Sequence, residues 1–238
     1  MIRIRRTACP AVLKNPRGAN TLYRDGRVVK ALVTMQSEKC CYSEMKIPAT
    51  GHGKAVEHFR PQSVYKRLQT DWDNLLLVCP NCNGQKSDKF PVMLTDDPSE
   101  TKVVYAKKAT KKRPAILNPA DPKEFPEREL TYYLTDPTGF WYGQVMPRNG
   151  SIKGRETIKV TGIDDDFFRK KRRGRLRNYL ERALRDLMEF YDNGDAEGVK
   201  AVKEQFRGYM RPQAEFAGLA REFARVKKLD KRFNIKIP

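Results

Sequence analysis

Three polar side chains and a pair of thiols give this sequence its chemistry. Glu57 and His58 stand side by side after a short apolar run, and Asn83 directly follows the knuckle Cys79-Pro80-Asn81-Cys82. A carboxylate and an amide oxygen suit a hard cation. Mg²⁺ gives up its waters reluctantly and is satisfied by few protein ligands, with Mn²⁺ as a substitute. The imidazole titrates in the range a general base needs. An activated water, a cation and a grip on the backbone are what hydrolysis of a phosphodiester requires. A lone histidine is ordinarily a surface or core residue, but a preceding carboxylate, Pro61 three residues on and an asparagine after a Cys-x-x-Cys weigh against that reading for His58. His52 is the reverse case, a solvated residue in the Gly-flanked loop Gly51-His52-Gly53-Lys54. That loop also fails as a phosphate-binding turn, because the earlier glycine is missing and Ala55 follows the lysine. The chain has five cysteines, Cys9, Cys40, Cys41, Cys79 and Cys82. An odd number argues against a disulfide framework, and the Cys-x-x-Cys reads as half of a metal site.

These residues must be placed by short elements. Apolar positions Val28, Val29, Leu32, Val33 and Met35 follow a helical period, which predicts one amphipathic helix over residues 23–38 delivering the chain to Cys40. Two short strands are expected, one ending at Glu57 and His58 and one over residues 74–78, with a polar helical turn from Cys82 to Asp88 that should stay exposed. Residues 107–113 read as a solvated basic linker. Residues 130–134, 140–142 and 157–160 suggest small antiparallel strands separated by turn residues. Asp164 to Asp166 suit a helix start, and Leu176, Leu180, Leu184 and Leu187 form an apolar stripe that ends at Asn193 and Gly194. Two more helices are expected, over residues 196–209 and 212–229. Trp72 and Trp141 read as packing residues.

With 238 residues the chain can bury a substantial core. Lys and Arg number 48 against 29 Asp and Glu, a net charge of +19, which calls for a polyanionic partner, nucleic acid before a membrane surface. No long apolar run, signal segment or lipidation motif stands out, so a cytoplasmic protein that does not enter a membrane is expected. The cluster Arg169, Lys170, Lys171, Arg172 and Arg173, with Arg175 and Arg177 beyond it, is either the wet face of a helix or a row of phosphate contacts, and the second reading is favoured. Arg60 and Lys86 are candidate nucleic-acid contacts beside the chemistry.

Residues 57–91 resemble HNH nucleases of the ββα-metal fold. Glu57-His58-Phe59-Arg60-Pro61-Gln62-Ser63 is similar to the acidic-His-x-x-Pro motif, Asn74 to the central asparagine, and Asn83-Gly84-Gln85-Lys86-Ser87-Asp88 to the third motif. The resemblance implies that Glu57 and Asn83 hold the metal, that His58 activates water and that Asn74 shapes the loop between the strands. Lys39-Cys40-Cys41-Tyr42-Ser43-Glu44, the run from Asp71 to Asn83, and Lys89-Phe90-Pro91 with Ile116-Leu117-Asn118-Pro119 extend the likeness to the HNH subunits of Septu antiphage systems, also found with certain retrons. That likeness implies an ABC-type ATPase partner and phage or host nucleic acid, DNA first, as substrate.

Such relatives commonly carry a second Cys-x-x-Cys, whereas here Ser43 stands where its second thiolate is expected. Cys40, Cys79 and Cys82 are three candidate zinc ligands, and either Cys41 or His52 completes a tetrahedron or the site is degenerate. The expected fold is α+β: an N-terminal arm and helix (1–37), a small ββα-metal core (38–95), a basic linker with a β-rich middle segment (96–160) and a C-terminal helical region (161–238). The leading expectation is a DNA endonuclease. Its rivals are a non-catalytic zinc-ribbon binder of nucleic acid and an HNH nuclease acting on RNA.

Overall fold

The computed structural model describes residues 1–14, 21–48, 53–95 and 102–238. After a single turn, α1 (Ala11–Lys14), helix α2 (Gly26–Met35) begins where the Asp25 carboxylate accepts the Arg27 amide at 2.8 Å. Val28 and Leu32, four residues apart, are wholly buried on its inner face. The helix is shorter than its sequence period suggests because Ser37 and Glu38 turn left-handed, with φ of 52° and 60°. Gln36 then fastens the helix to the sheet: its amide donates to Leu77 O and accepts from Leu77 N, both at 2.8 Å.

Strands β1 (Ala55–His58) and β2 (Leu75–Val78) pair antiparallel, with Glu57 opposite Leu76 and His58 opposite Leu75. All four residues of β2 are buried, which explains an unbroken Leu-Leu-Leu-Val run in place of alternation. Helix α3 (Pro80–Lys86) follows at once, Pro80 occupying the first turn, where the missing N–H costs nothing. Two further strand pairs follow, β3 (Pro91–Met93) with β4 (Val103–Tyr105), and β5 (Leu130–Tyr132) with β6 (Val145–Pro147); one turn of helix, α4 (Pro126–Glu129), precedes β5.

Residues 157–160 are not a strand. They lie in helix α5 (Ile152–Thr161), capped by the Ser151 hydroxyl accepting from Gly154 N at 2.9 Å. The hydroxyls of Thr157 and Thr161 donate one turn back, each at 2.6 Å, so these β-branched residues are satisfied inside a helix. Residues 140–142 likewise form a turn.

Helix α6 (Asp166–Arg175) runs through a π-turn (Leu176–Leu180) into α7 (Glu181–Asp192), and Gly194 at φ 71° ends the run. Helix α8 (Ala196–Met210) is followed by α9 (Ala217–Val226) and α10 (Leu229–Phe233). A single helix over 212–229 does not form, because Phe216 and Lys228 both sit at φ 53° and break the path at each end of α9.

The core divides in two. One cluster gathers Leu75 to Val78, Cys40, Phe59, Trp72 and Phe90, and the other joins Leu176, Leu180, Phe206 and Phe223. Polar bonds cross between the halves at the turn carrying Cys40. Lys39 Nζ donates to the carbonyls of Pro212 (2.5 Å) and Ala214 (2.9 Å), Glu44 accepts from Gly218 N (3.0 Å) and Lys46 N donates to Glu215 (2.9 Å). The architecture is α+β, with paired strands around residues 55–78 and a mainly helical C-terminal part. Among the described residues no helix is long and apolar enough to cross a membrane.

Candidate functional site

The unit β1–β2–α3 carries two groups of chemically active side chains. On one side lie Cys40, Cys79 and Cys82, all buried, with sulfurs within 4.8 Å of one another. That spacing suits thiolates arranged around a tetrahedral ion. The Cys40 turn is held by its amide donating to Met45 O (3.0 Å) and by Cys41 N donating to Leu77 O (2.9 Å). Ser43 N points at the Cys40 sulfur (3.5 Å), and the Ser43 hydroxyl lies 4.0 Å from that of Cys79. Burial opposes ionisation of Cys40, yet hydrogen bonds from Cys41, Cys79, Cys82 and Ser43 hold its thiol well below the ordinary range. The Cys79 thiol is pushed up to about 11, chiefly by its bond to Cys40, and burial raises Cys82. Three sulfurs facing one another in a closed space are a donor set that suits a soft cation. Of the two fourth ligands considered from sequence, Cys41 is buried but stands outside the trio, and His52 lies outside the described residues. The Ser43 hydroxyl, 4.0 Å from the Cys79 sulfur, is a further polar group beside the trio.

On the other side Glu57, His58 and Asn83 line one cavity of about 610 Å³ together with Tyr23, Lys54 and Gln62. His58 ends β1 and its Nε2 lies 3.0 Å from the carbonyl of Gln69. A carbonyl only accepts, so Nε2 carries the proton and Nδ1 presents its lone pair. The ring is fixed further by Tyr23, edge-on at 4.6 Å between centroids. Burial lowers the His58 pKa, with Lys86 adding to the effect against the Gln69 bond, so the ring is neutral near pH 7.

Glu57 is buried, and Lys86 Nζ sits 2.5 Å from its Oε1, with the Tyr42 hydroxyl donating to the same oxygen at 3.4 Å. Burial raises the Glu57 carboxyl above the usual range despite these partners. Lys86 also donates to His58 O at 3.1 Å. Helix α3 is therefore less polar in position than in composition, since Cys82 and Lys86 face inward. Asn74 does not line this cavity. Its Oδ1 accepts from Arg60 N (2.7 Å), while its Nδ2 donates to Arg60 O (3.0 Å) and Leu68 O (3.1 Å), locking the loop between the strands.

The expected nucleic-acid contacts are placed unevenly. Lys86 is 0% exposed and paired with Glu57, so it is not a surface on which phosphate could rest. Arg60 turns away from the cavity, its guanidinium over Tyr65 (5.2 Å) and Phe90 (5.1 Å). Arg169 and Arg172 are buried against Asp164, at 3.1 and 2.9 Å. Lys170 and Lys171 are exposed, and Arg173 is half-buried, donating to Phe140 O at 3.2 Å. Trp72 is a packing residue, as expected, with Nε1 on Thr7 O at 3.0 Å. Trp141 is not, being 50% exposed. The roles of Tyr23, Tyr42 and Ser43 carried no motif signal; only the position of Ser43, where a cysteine was expected, marked it.

Residues 41–89, about a fifth of the chain and including β1, β2 and α3, match the HNH endonuclease family. The chain is further homologous to Septu proteins. It is 32% identical over 114 residues to Septu protein PtuB of Bacillus thuringiensis, covering 42% of this chain and 44% of the relative. With Septu protein PtuB of Bacillus mycoides (strain KBAB4) it shares 27% identity over 155 residues, 59% of this chain and 48% of the relative. With Septu protein PtuA of the same strain it shares 28% over 138 residues, 53% of this chain and 17% of the relative. The chain thus spans less than half the length of these curated relatives.

Proposed function

We propose that this chain is a divalent-metal-dependent endonuclease that hydrolyses DNA as the nuclease of a Septu-type antiphage system. The observation that carries the reading is the setting of His58: a buried ring in the wall of the cavity that Glu57 and Asn83 also line, with Nε2 against the Gln69 carbonyl, an arrangement that leaves Nδ1 as the basic nitrogen of the neutral ring. His58 takes the proton of a water at Nδ1 and is held in aim by Gln69 and Tyr23. Glu57 and Asn83 supply hard oxygen donors for Mg²⁺ or Mn²⁺. Binding of the ion at Glu57 requires the carboxylate to be released by, or shared with, the Lys86 ammonium that now sits beside it. When bound, such an ion neutralises charge developing on the phosphoryl oxygens. Asn74 positions the loop that carries Arg60 and Gln69, and so acts through His58. The trio Cys40, Cys79 and Cys82 holds a structural zinc, with the Ser43 hydroxyl beside it. The exposed Lys170 and Lys171 contact phosphate, and the Septu likeness supports an ABC-type ATPase partner in the cytoplasm.

The test is cleavage of circular DNA and of RNA by the full chain, with and without its ATPase, in Mg²⁺ or Mn²⁺. Metal-dependent cutting abolished by His58→Ala is expected, and cutting that the substitution leaves unchanged would refute the assignment. The RNA arm separates the two nuclease readings. A non-catalytic zinc-ribbon binder is the second reading, favoured by the engagement of Glu57 with Lys86 and by the buried thiols. It requires nucleic acid to be bound yet left intact under every one of these conditions.

A further inference from the structure

Away from the cavity, the turn before β6 holds two large aromatics out in solvent, Phe140 at 57% and Trp141 at 50% exposure. They are not loose. Their rings meet edge-on at 4.9 Å, and the buried Arg169 guanidinium lies against both, 5.2 Å from Phe140 and 4.7 Å from Trp141. The turn is also bonded to α6 and the π-turn beyond it: Arg173 donates to Phe140 O (3.2 Å), Arg172 to Gly143 O (2.5 Å) and Arg177 to Pro137 O (2.8 Å). Exposing fixed apolar rings is unfavourable in water, and such rings mark contact surfaces. The helix behind them continues the pattern with exposed Phe167 under Lys171 (5.8 Å) and exposed Tyr179 under Arg175 (4.6 Å). Asp164 pairs with Arg169 and Arg172, and Asp166 with Lys170 (2.8 Å) and Arg173. That leaves Lys171, Arg175 and Arg177 as cations of this stretch with no ion pair among the described residues, and Lys170 exposed in a solvent-screened one. A protein partner would have to match that one-sided charge with carboxylates. Flexible nucleic acid matches both features at once, because every base has a face to stack and every linkage carries a charge.

We propose that Phe140 and Trp141 form a stacking platform for the unpaired bases of single-stranded nucleic acid, whose phosphates run along Lys170 and Lys171. The proposal rests on nucleic acid being the partner, as in the function above, but not on His58 being a catalyst. The platform is linked to the site helix, since Gln85 on α3 donates to Asp165, the residue that precedes α6, at 3.2 Å.

The test uses the full chain in the His58→Ala background without added Mg²⁺, titrated into labelled oligo(dT), oligo(U) and a DNA duplex of equal length. Phe140→Ala/Trp141→Ala should weaken single-strand binding by about tenfold or more while duplex binding changes by less than about twofold. Lys170→Gln/Lys171→Gln should weaken all three ligands and reduce the salt dependence of each. Trp141→Phe keeps a stacking ring, so it should hold single-strand affinity and abolish quenching of indole fluorescence by the oligonucleotide. Comparing oligo(dT) with oligo(U) separates DNA from RNA. A double aromatic variant that melts normally and binds single strands as tightly as its parent overturns the platform, as does one that loses single strands and duplex equally. Release of a bound protein with oligonucleotide binding intact overturns it too and assigns the surface to that protein. Oligonucleotide binding as stated, in a chain that never cuts, would sink the nuclease alone; normal cutting with an inert platform would sink this proposal alone.

Discussion

Cys82 and Asn83 are neighbours on one short helix, yet they belong to opposite kinds of site. Cys82 is wholly buried among sulfurs, while Asn83 opens onto the cavity that also holds His58. Adjacent helical residues point about 100° apart, so seven residues of α3 can serve both sides. The sulfur side is closed and its partners are backbone amides and other thiols, as in structural metal sites. The cavity side is open and its partners are oxygens and one imidazole, as in sites that must admit water and substrate. The closed side sets the position of α3, and the open side uses that position. Changes on the two sides should therefore separate stability from chemistry.

The largest separation is expected at His58. His58→Ala should slow DNA cleavage by about 10²–10⁴-fold while the midpoint of thermal unfolding falls by no more than about 5 °C; a large loss of both in one assay pair would break the contrast. Cys82→Ala should do the reverse of this, lowering the midpoint by roughly 10 °C or more through loss of bound zinc, which metal analysis of the purified chain would register. Asn74→Ala lies between the two. It strips Arg60 N, Arg60 O and Leu68 O of partners at a cost of about 2–3 kcal/mol, and the loosened loop should slow cleavage with little change in substrate affinity. The smallest effect is a gain: Ser43→Cys should slow zinc release to a chelator by about tenfold and leave the cleavage rate within about twofold. Unchanged release would place the fourth ligand elsewhere.

How much of this could be read from sequence follows the range over which each feature is determined. That Glu57, His58 and Asn83 meet on one cavity was legible because the motif is local, and the strand, loop and helix that unite them span few residues. The ion pair of Lys86 with Glu57 was not, because it depends on which face of α3 meets β1, and a helix of polar composition gave no sign that a lysine turns inward. The reading of residues 157–160 as a strand failed on β-branched Thr157, Ile158 and Val160, which four residues cannot assign to a period of two or of 3.6; the Ser151 cap was the better signal. Trp141 was misplaced because apolarity alone does not say whether a ring packs inward or is held out by the arginines behind it. The basic stripe was legible as charge, but burial of Arg169 and Arg172 against Asp164 was set by tertiary contact.

The bonds from Lys39, Glu44 and Lys46 to the segment around Pro212 and Gly218 bear on how the molecule can be dissected. A fragment trimmed to the HNH segment would strip the Lys39 ammonium of two carbonyl partners and open it to water, next to the sulfurs whose geometry the trimming was meant to preserve. Excision would thus damage the part retained, and the segment 173 residues downstream of Lys39 is better regarded as a wall of the knuckle than as an appendage to it.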